Sequence, residues 1–508
     1  MRSSGILLSV TSLPSKYGIG CFSQAAYDFV DFLADSGQTY WQILPLGPTS
    51  YGDSPYQTFS TIAGNPYLIS LEELIEEGVL SAQECDSVDF GTNAQCVDYG
   101  KLSANRLKLL RKAYERSDIS KNFGYQKFLY ENRDWLPDYA LFMALKGRFN
   151  YAAWTQWPED IRLRWGFALD YYRRELYFDI EFQQYMQYVF FRQWKKLKAY
   201  ANSKHIKIIG DMPIYVAQDG VDRWTRPELF QVDERNNLSA VAGCPPDSFS
   251  ADGQIWGNPL YRWDYHRDTA YEWWVNRLRH SFRLYDVVRL DHFRGFDAYY
   301  SIPFGAKTAL TGHWEKGPGM ELFQAVRKWL GEKEMIAEDL GLMTDSVRNL
   351  VKESGFPNMK VLQFAFDLGD KSGGNDYLPH NYDRNCVVYT GTHDNETVAG
   401  WLERLTKTEK KHIRDYIGDN HTPDEQLYLR IIAEAMKSSA NICIIPAQDW
   451  LGLDNTARMN QPSTLSSNWS WRMKKGALTK RLQQEILTQT KRYGRFNWAN
   501  EKKPEPKK

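Results

Sequence analysis

Eight short apolar runs recur along the chain. They are GILLSV near residue 5, TYWQILPL near 39, IKIIGDMPIYV near 206, DVVRLDHF from 286, MIAEDLG from 335, KVLQFAF from 360, CVVYTGTHD from 386 and ICIIPAQD from 442. Each has the length of a strand, is rich in Val, Ile or aromatic residues, and stays apolar without alternation, as a strand buried on both faces does. Several follow a helical pattern. Ala26, Phe29, Val30 and Leu33 keep the i, i+3, i+4, i+7 spacing, with Ser23 as N-cap and Gly37 as stop. Phe190, Trp194, Leu197 and Ala201 precede the third run; Trp274, Leu278, Phe282 and Tyr285 precede the fourth. Leu322, Ala325, Val326 and Trp329 lead into the fifth, and Leu427, Ile431 and Ala435 into the eighth.

Helix alternating with buried strand predicts an α/β protein with a parallel sheet. Eight such units favour a closed (β/α)8 TIM barrel over a doubly wound sheet, and no GxGxxG or P-loop motif follows the early strands to argue otherwise. On this reading residues 1–500 form the catalytic barrel. About 160 residues separate the second run from the third, too many for an ordinary connection. This interval, with Trp135, Trp154, Trp157 and Trp165, predicts a mostly helical insertion over residues 70–185 between strands 2 and 3. Residues 218–266, rich in Pro, Gly, Asp and Asn, read as a long active-site loop over the C-terminal face, and the charged tail 501–508 as disordered.

Composition narrows the classes. Lys plus Arg and Asp plus Glu are both 63, so no global field draws the chain to nucleic acid or an anionic membrane. The six cysteines form no CxxC pair or metal-like cluster, which suggests a reduced, cytoplasmic setting. The N-terminal apolar run is too short for a signal peptide, and no eighteen apolar residues occur in a row, so a soluble, unexported protein is expected. A monomer or weak homo-oligomer is the simplest assembly. Trp, Tyr and Phe make up 15% of the chain, and such side chains present flat faces with polar handles that suit sugars.

The barrel reading makes a demand of its own: catalytic groups should sit at the C-terminal ends of several strands. Asp211, Asp291, Glu338, Asp394 and Asp449 end the third, fourth, fifth, seventh and eighth runs. Arg289 lies two residues from Asp291 and shares its face of a strand, either as an ordinary ion pair or as the keeper of a charged nucleophile. A carboxylate cluster can bind metal, for which His292 and His393 beside acids are tempting, or it can perform glycosyl transfer. A His next to an Asp in a strand points to the opposite face, and no HxH, HExxH or Cys cluster supports the metal reading. No cofactor is expected. The loop GCPPDSFSADGQIWGNPLYRW offers Trp256 as a stacking face with Asp252, Gln254 and Asn258 as hydrogen-bonding groups, and MNQPSTLSSNWSWR offers Asn460, Asn468 and Trp469.

Together RLDHFRGF, IAEDLG, GTHDN, PPDSFSADGQIWGNPLY, GDMPIYV, DSPYQTFSTIAGNPYLI and SSGILLSVTSLPSKYGIG resemble the 4-α-glucanotransferases of glycoside hydrolase family 77, the amylomaltases or disproportionating enzymes. The resemblance implies retaining, double-displacement transfer of α-1,4-glucan segments between maltooligosaccharides. It implies Asp291 as nucleophile, Glu338 as general acid/base and Asp394 as the carboxylate that holds sugar hydroxyls. It further implies that Arg289, Asp211, His292, His393, Tyr56, Trp256 and Asn460 contact or support the substrate. A retaining pair needs its carboxyl groups about 5 to 5.5 Å apart and one of them protonated near neutral pH. The competing reading is an α-amylase-like retaining hydrolase of the same glucans; the aromatic loop, which would exclude water, favours transfer. Two departures stand out. Ser463 replaces the family's Gly in Asn-x-Pro-Gly, and Asp219, Gly220, Val221 and Asp222 replace its Asp-Ser-Ala-Asp.

Overall fold

Twelve strands run through the described residues of this computed structural model, which are 2–50, 52–246, 251–341, 343–369, 373–465 and 467–501. In chain order they are β1 (Ser3–Leu7), β2 (Tyr40–Gln42), β3 (Lys207–Met212), β4 (Ala240–Cys244), β5 (Gln254–Pro259) and β6 (Val287–Leu290). They continue with β7 (Ala298–Pro303), β8 (His313–Lys316), β9 (Met335–Ala337), β10 (Asn358–Val361), β11 (Cys386–Tyr389) and β12 (Ile442–Pro446). Eight of them close a barrel in the order β1-β12-β11-β10-β9-β6-β3-β2. All eight seams are parallel, and six of the barrel strands lie within their apolar runs. β1 begins two residues before its run, and β10 overlaps the run KVLQFAF at Lys360 and Val361, the rest of which turns into a short helix. The seams are unequal: β1 and β12 share five residue pairs, whereas β9 and β10 share only Asn358↔Ala337.

The strand residues are buried because helices cover the outside of the barrel while side chains fill its inside. Helix Gln24–Asp35 turns Ala26, Phe29, Val30 and Leu33 inward, as its spacing predicts. Its N-cap Ser23 makes no capping bond, because its hydroxyl pairs with that of Ser15 at 2.7 Å. One stripe was misplaced. In helix Met320–Leu330 the buried residues are Leu322, Phe323 and Val326, while Trp329 is exposed beneath the ammonium of Lys328. Close packing also fixes Gly210 in β3, where a Cβ would sit 2.1 Å from the ring of Tyr285.

Between β2 and β3 the chain is helical. Helices Tyr99–Arg116, Phe123–Glu131, Leu136–Arg148 and Gly166–Glu175 precede helix Tyr177–Ser203, which runs through residue 185 without a break. The first part of that helix belongs to the insertion and its last turns, with Phe190, Trp194 and Leu197, belong to the barrel core. Trp135, Trp154 and Trp157 build a second apolar cluster with Phe142 and Trp224, whereas Trp165 is 45% exposed. The described part of residues 218–266 carries regular structure that its turn-rich composition did not suggest. β4 and β5 pair antiparallel and join β7 and β8 in a second sheet, ordered β5-β4-β7-β8. The tail expected at 501–508 lies, from residue 502 on, outside the described residues.

Asp219 and Asp222 flank Gly220 and Val221, the two positions where the chain departs from the Asp-Ser-Ala-Asp pattern, and they tie the residues between β2 and β3 to the loop after β3. The buried Lys146 ammonium donates to Asp219 Oδ2 at 2.6 Å and to the carbonyls of Tyr151 and Ala152, and Asp219 Oδ1 accepts from the Trp154 N–H at 3.0 Å. Asp222 accepts from the backbone and hydroxyl of Thr61 at 3.0 and 2.6 Å. Removing one partner of a buried pair strands the other charge. Asp219→Ala is therefore expected to cost about 3 kcal/mol, read as a lower urea midpoint. An unchanged midpoint would show that the clamp contributes nothing to stability.

Candidate active site

A cavity of about 560 Å³ opens at the C-terminal ends of the barrel strands. Asp291, Glu338, Asp394, His292, His393, Tyr56, Trp256 and Asn460 line it, together with Tyr215, Asn258 and Trp469. Arg289 and Asp211 lie beneath, 4% and 3% exposed. The ten residues that the resemblance implies meet here: Tyr56, Asp211, Arg289, Asp291, His393, Asp394 and Asn460 are linked to one another by hydrogen bonds and ion contacts, while Glu338 and Trp256 both meet His292, the residue after Asp291.

Register places the floor. Asp211↔Arg289 and Arg289↔Ile336 are neighbours across the β3, β6 and β9 ladder, so side chains at this level face the same interior. Arg289 Nη1 donates to both oxygens of Asp211 and to Asp291 Oδ1, each at 2.8 Å, and its Nε reaches Met359 Sδ at 3.3 Å. Burial alone would lower the Arg289 pKa, but Asp211 and Asp291 more than reverse it and hold it well above the ordinary value. Burial pushes the Asp211 carboxyl up against the pull of Arg289. The charge beside Asp291 is therefore permanent.

Glu338 follows β9 directly. Its Oε2 accepts from the backbone N–H of His292 at 2.7 Å and its Oε1 from that of Leu340 at 2.8 Å, which ties it to the residue after Asp291. His292 turns this N–H inward by adopting a left-handed backbone, φ 51°. Burial pushes the Glu338 pKa from about 4.5 to about 7; Arg289 opposes the rise and Asp291 adds to it. Burial also pushes His292 down to about 4, so its imidazole is neutral at neutral pH. That ring meets Trp256 edge-on at 4.9 Å, and Trp256 is steadied by its Nε1–H bond to Gln254 at 3.1 Å.

The opposite wall comes from the loops after β2, β11 and β12. Tyr56 donates to Asp211 Oδ2 at 2.7 Å and stacks on His393 with centroids 5.0 Å apart. His393 Nε2 lies 3.4 Å from Asp394 Oδ2, and Asn460 Nδ2 donates to Asp394 Oδ1 at 2.6 Å. Arg458, which no sequence pattern singled out, donates to the carbonyls of Asp394 and Asn460 at 2.6 and 2.8 Å and so fixes that loop from behind. Ser463 takes the left-handed conformation, φ 65°, that glycine adopts without strain, and Ser467 and Trp469 do the same.

Two expectations need correction. Asp449 does not join the other four acids: it sits in helix Ala447–Trp450, 1% exposed, accepting from Thr390 Oγ1 at 2.6 Å and the Val398 N–H at 2.8 Å. β12 runs straight into that helix, which turns Asp449 away from the mouth. Asp252 is exposed at the tip of the β4–β5 hairpin, where its carbonyl accepts from the Ala309 N–H. Asp247, Ser248, Phe249 and Ser250 lie outside the described residues. Among the described residues no three His, Cys, Asp or Glu side chains cluster in a metal-binding arrangement.

Known proteins match this architecture over nearly its full length. The family model described as 4-alpha-glucanotransferase matches residues 8–479. A 4-alpha-glucanotransferase of Clostridium butyricum is 49% identical over 490 residues, covering 96% of this chain and 100% of its relative. One of Streptococcus pneumoniae is 48% identical over 499 residues, with 98% of each chain covered. Among solved structures, the Streptococcus agalactiae amylomaltase in complex with acarbose superposes with a TM-score of 0.95 at 41% identity, covering 98% of this chain and 100% of that one. The chain accordingly belongs to glycoside hydrolase family 77, the 4-α-glucanotransferases.

Proposed function

We propose that Asp291 and Glu338 transfer α-1,4-glucan segments by retaining double displacement. The observation that carries this reading is their opposed electrostatics: a carboxylate against a permanent guanidinium, and a neighbouring carboxyl that burial keeps protonated to about pH 7. An Asp291 oxygen attacks the anomeric carbon while Glu338 gives its proton to the departing glycosidic oxygen, and the leaving maltodextrin is released. Glu338, now ionised, takes the proton of an acceptor 4-hydroxyl, whose oxygen displaces Asp291 and restores an α-1,4 bond. Asp394, oriented by Asn460, holds sugar hydroxyls together with His393, and neutral His292 adds a hydrogen bond without adding charge. Trp256, Tyr56 and Trp469 supply stacking faces and displace water, which favours a sugar acceptor over hydrolysis. All six cysteines are thiols, in keeping with a reducing, cytoplasmic location.

Incubation with maltotriose is expected to yield glucose and a ladder of longer maltodextrins. Maltose and glucose without longer products would instead support hydrolysis. Asp291→Asn and Glu338→Gln should each lower kcat by about 10³-fold or more with the fold intact by circular dichroism, and a chelator should leave the wild type unaffected. Near-normal turnover in either variant would overturn its assignment.

Because the protonated form of Glu338 is the competent one, kcat/KM is expected to fall tenfold per pH unit above about 7. The same shift acts on stability. Below pH 4.5 Glu338 is protonated folded and unfolded and costs nothing; between 4.5 and about 7 the unfolded chain ionises first and gains. Glu338→Gln should therefore match wild type in urea at pH 4 and exceed it by about 3 kcal/mol at pH 8. Equal midpoints at pH 8 would refute the raised pKa of Glu338.

A further inference from the structure

The β9–β10 seam is the thinnest of the barrel, with Asn358↔Ala337 as its one residue pair, and it lies immediately below Glu338. Asp339, 7% exposed and absent from the cavity lining, spans this seam. Its Oδ1 accepts from the Met359 backbone N–H at 2.9 Å and its Oδ2 from Asn358 Nδ2 at 3.0 Å. Asp339 separates Glu338 from Leu340, whose N–H holds Glu338 Oε1, while Met359 carries the sulfur that Arg289 Nε approaches at 3.3 Å. The two bonds thus reach both halves of the site through neighbouring residues.

We infer that Asp339 is a positioning residue for the transfer reaction: its side chain stitches the end of β9 to β10 and so fixes the placement of Glu338 against Asp291. The inference rests on Glu338 being the acid/base proposed above. The single pair lies at Ala337, the last residue of β9, so beyond it the Asp339 side chain carries the tie to β10, and small misplacements of a proton donor are costly. Lys360 and Arg348 bring opposite charge to the surroundings of Asp339, and Tyr377 brings a phenol. The requirement on Asp339 is nevertheless for acceptors, because both oxygens are taken by N–H groups of β10.

The acceptor role separates the substitutions. Asp339→Ala removes both bonds and should lower kcat for maltotriose about tenfold or more, with KM within about twofold. Asp339→Asn keeps one oxygen for Met359, and its amide can donate to the Asn358 oxygen once that side chain turns over, so kcat should stay within about threefold of wild type. Asn358→Asp sets two carboxylates face to face and should behave like Asp339→Ala, while the double variant Asp339→Asn/Asn358→Asp restores both bonds and should recover activity. If Asp339→Ala does not fold, the Asn358→Asp variant and its recovery in the double variant give the same answer. The inference is overturned if the loss variants keep wild-type kcat, or if Asp339→Asn or the double variant stays as impaired as they are. Two controls separate its failure from that of the reading beneath it. An active Glu338→Gln would remove Glu338 from the mechanism, whereas amide exchange at Met359, faster in Asp339→Ala than in wild type, reports the stitch regardless of which residue is the acid.

Discussion

A single guanidinium organises this molecule's chemistry. Arg289 is withdrawn from water at the centre of the barrel, where a lone charge would cost several kcal/mol, and it is tolerated because Asp211 and Asp291 surround it. The arrangement is asymmetric. Asp211 is fully enclosed and gives both oxygens to Arg289, while Asp291 gives one and keeps part of its side chain exposed to the cavity. Tyr56 is held by the enclosed acid and in turn stacks on His393, so the wall that faces the sugar is built outward from the same ion cluster.

The backbone serves this cluster by register rather than by loops alone. Asp211 and Arg289 stand side by side on β3 and β6, and Glu338 follows where β9 ends, so three strands joined by two parallel seams deliver three functional groups to one mouth. Such precision is available from strands because neighbouring Cα positions are set by hydrogen-bond ladders. Asp394 lies beyond the end of β11 and has no ladder. Its position is instead made from side chains, with Arg458 gripping its carbonyl and Asn460 its carboxylate.

Much of this was legible in the residues, and what was not has physical causes. Strands buried on both faces are continuously apolar, so all eight barrel strands announce themselves. β4, β5, β7 and β8 do not: β5 and β8 are largely exposed, β4 and β7 mix Gly, Ser or Pro into short buried stretches, and the sheet depends on a pairing far along the chain, Val241 with Ile302. Acids after strands could be listed from the sequence, but direction could not. Asp291 faces the cavity and Asp449 the framework, a difference decided by whether a loop or a helix begins at the strand's end. The stripe of helix Met320–Leu330 was misjudged by one neighbour, Trp329 for Phe323, since spacing alone does not say which edge of a helix meets the barrel. Arg458 left no trace in any pattern because its partners are carbonyls, which every residue has.

Closure of the barrel between its two ends governs how the chain can assemble. β1 is made first, yet five of its residues pair with β12, Ser3 with Ile442 through Leu7 with Pro446. Arg2 and Arg495 then bind the carbonyls around that seam, among them those of Met436 and Ser438. During synthesis β1 can meet β2 early, but its other edge stays unpaired until more than four hundred further residues have emerged. Contacts of such sequence separation are slow to form, and an open apolar strand edge is prone to associate with other chains meanwhile. The barrel's last seam to close therefore sets the period during which the nascent chain depends on dilution or a chaperone.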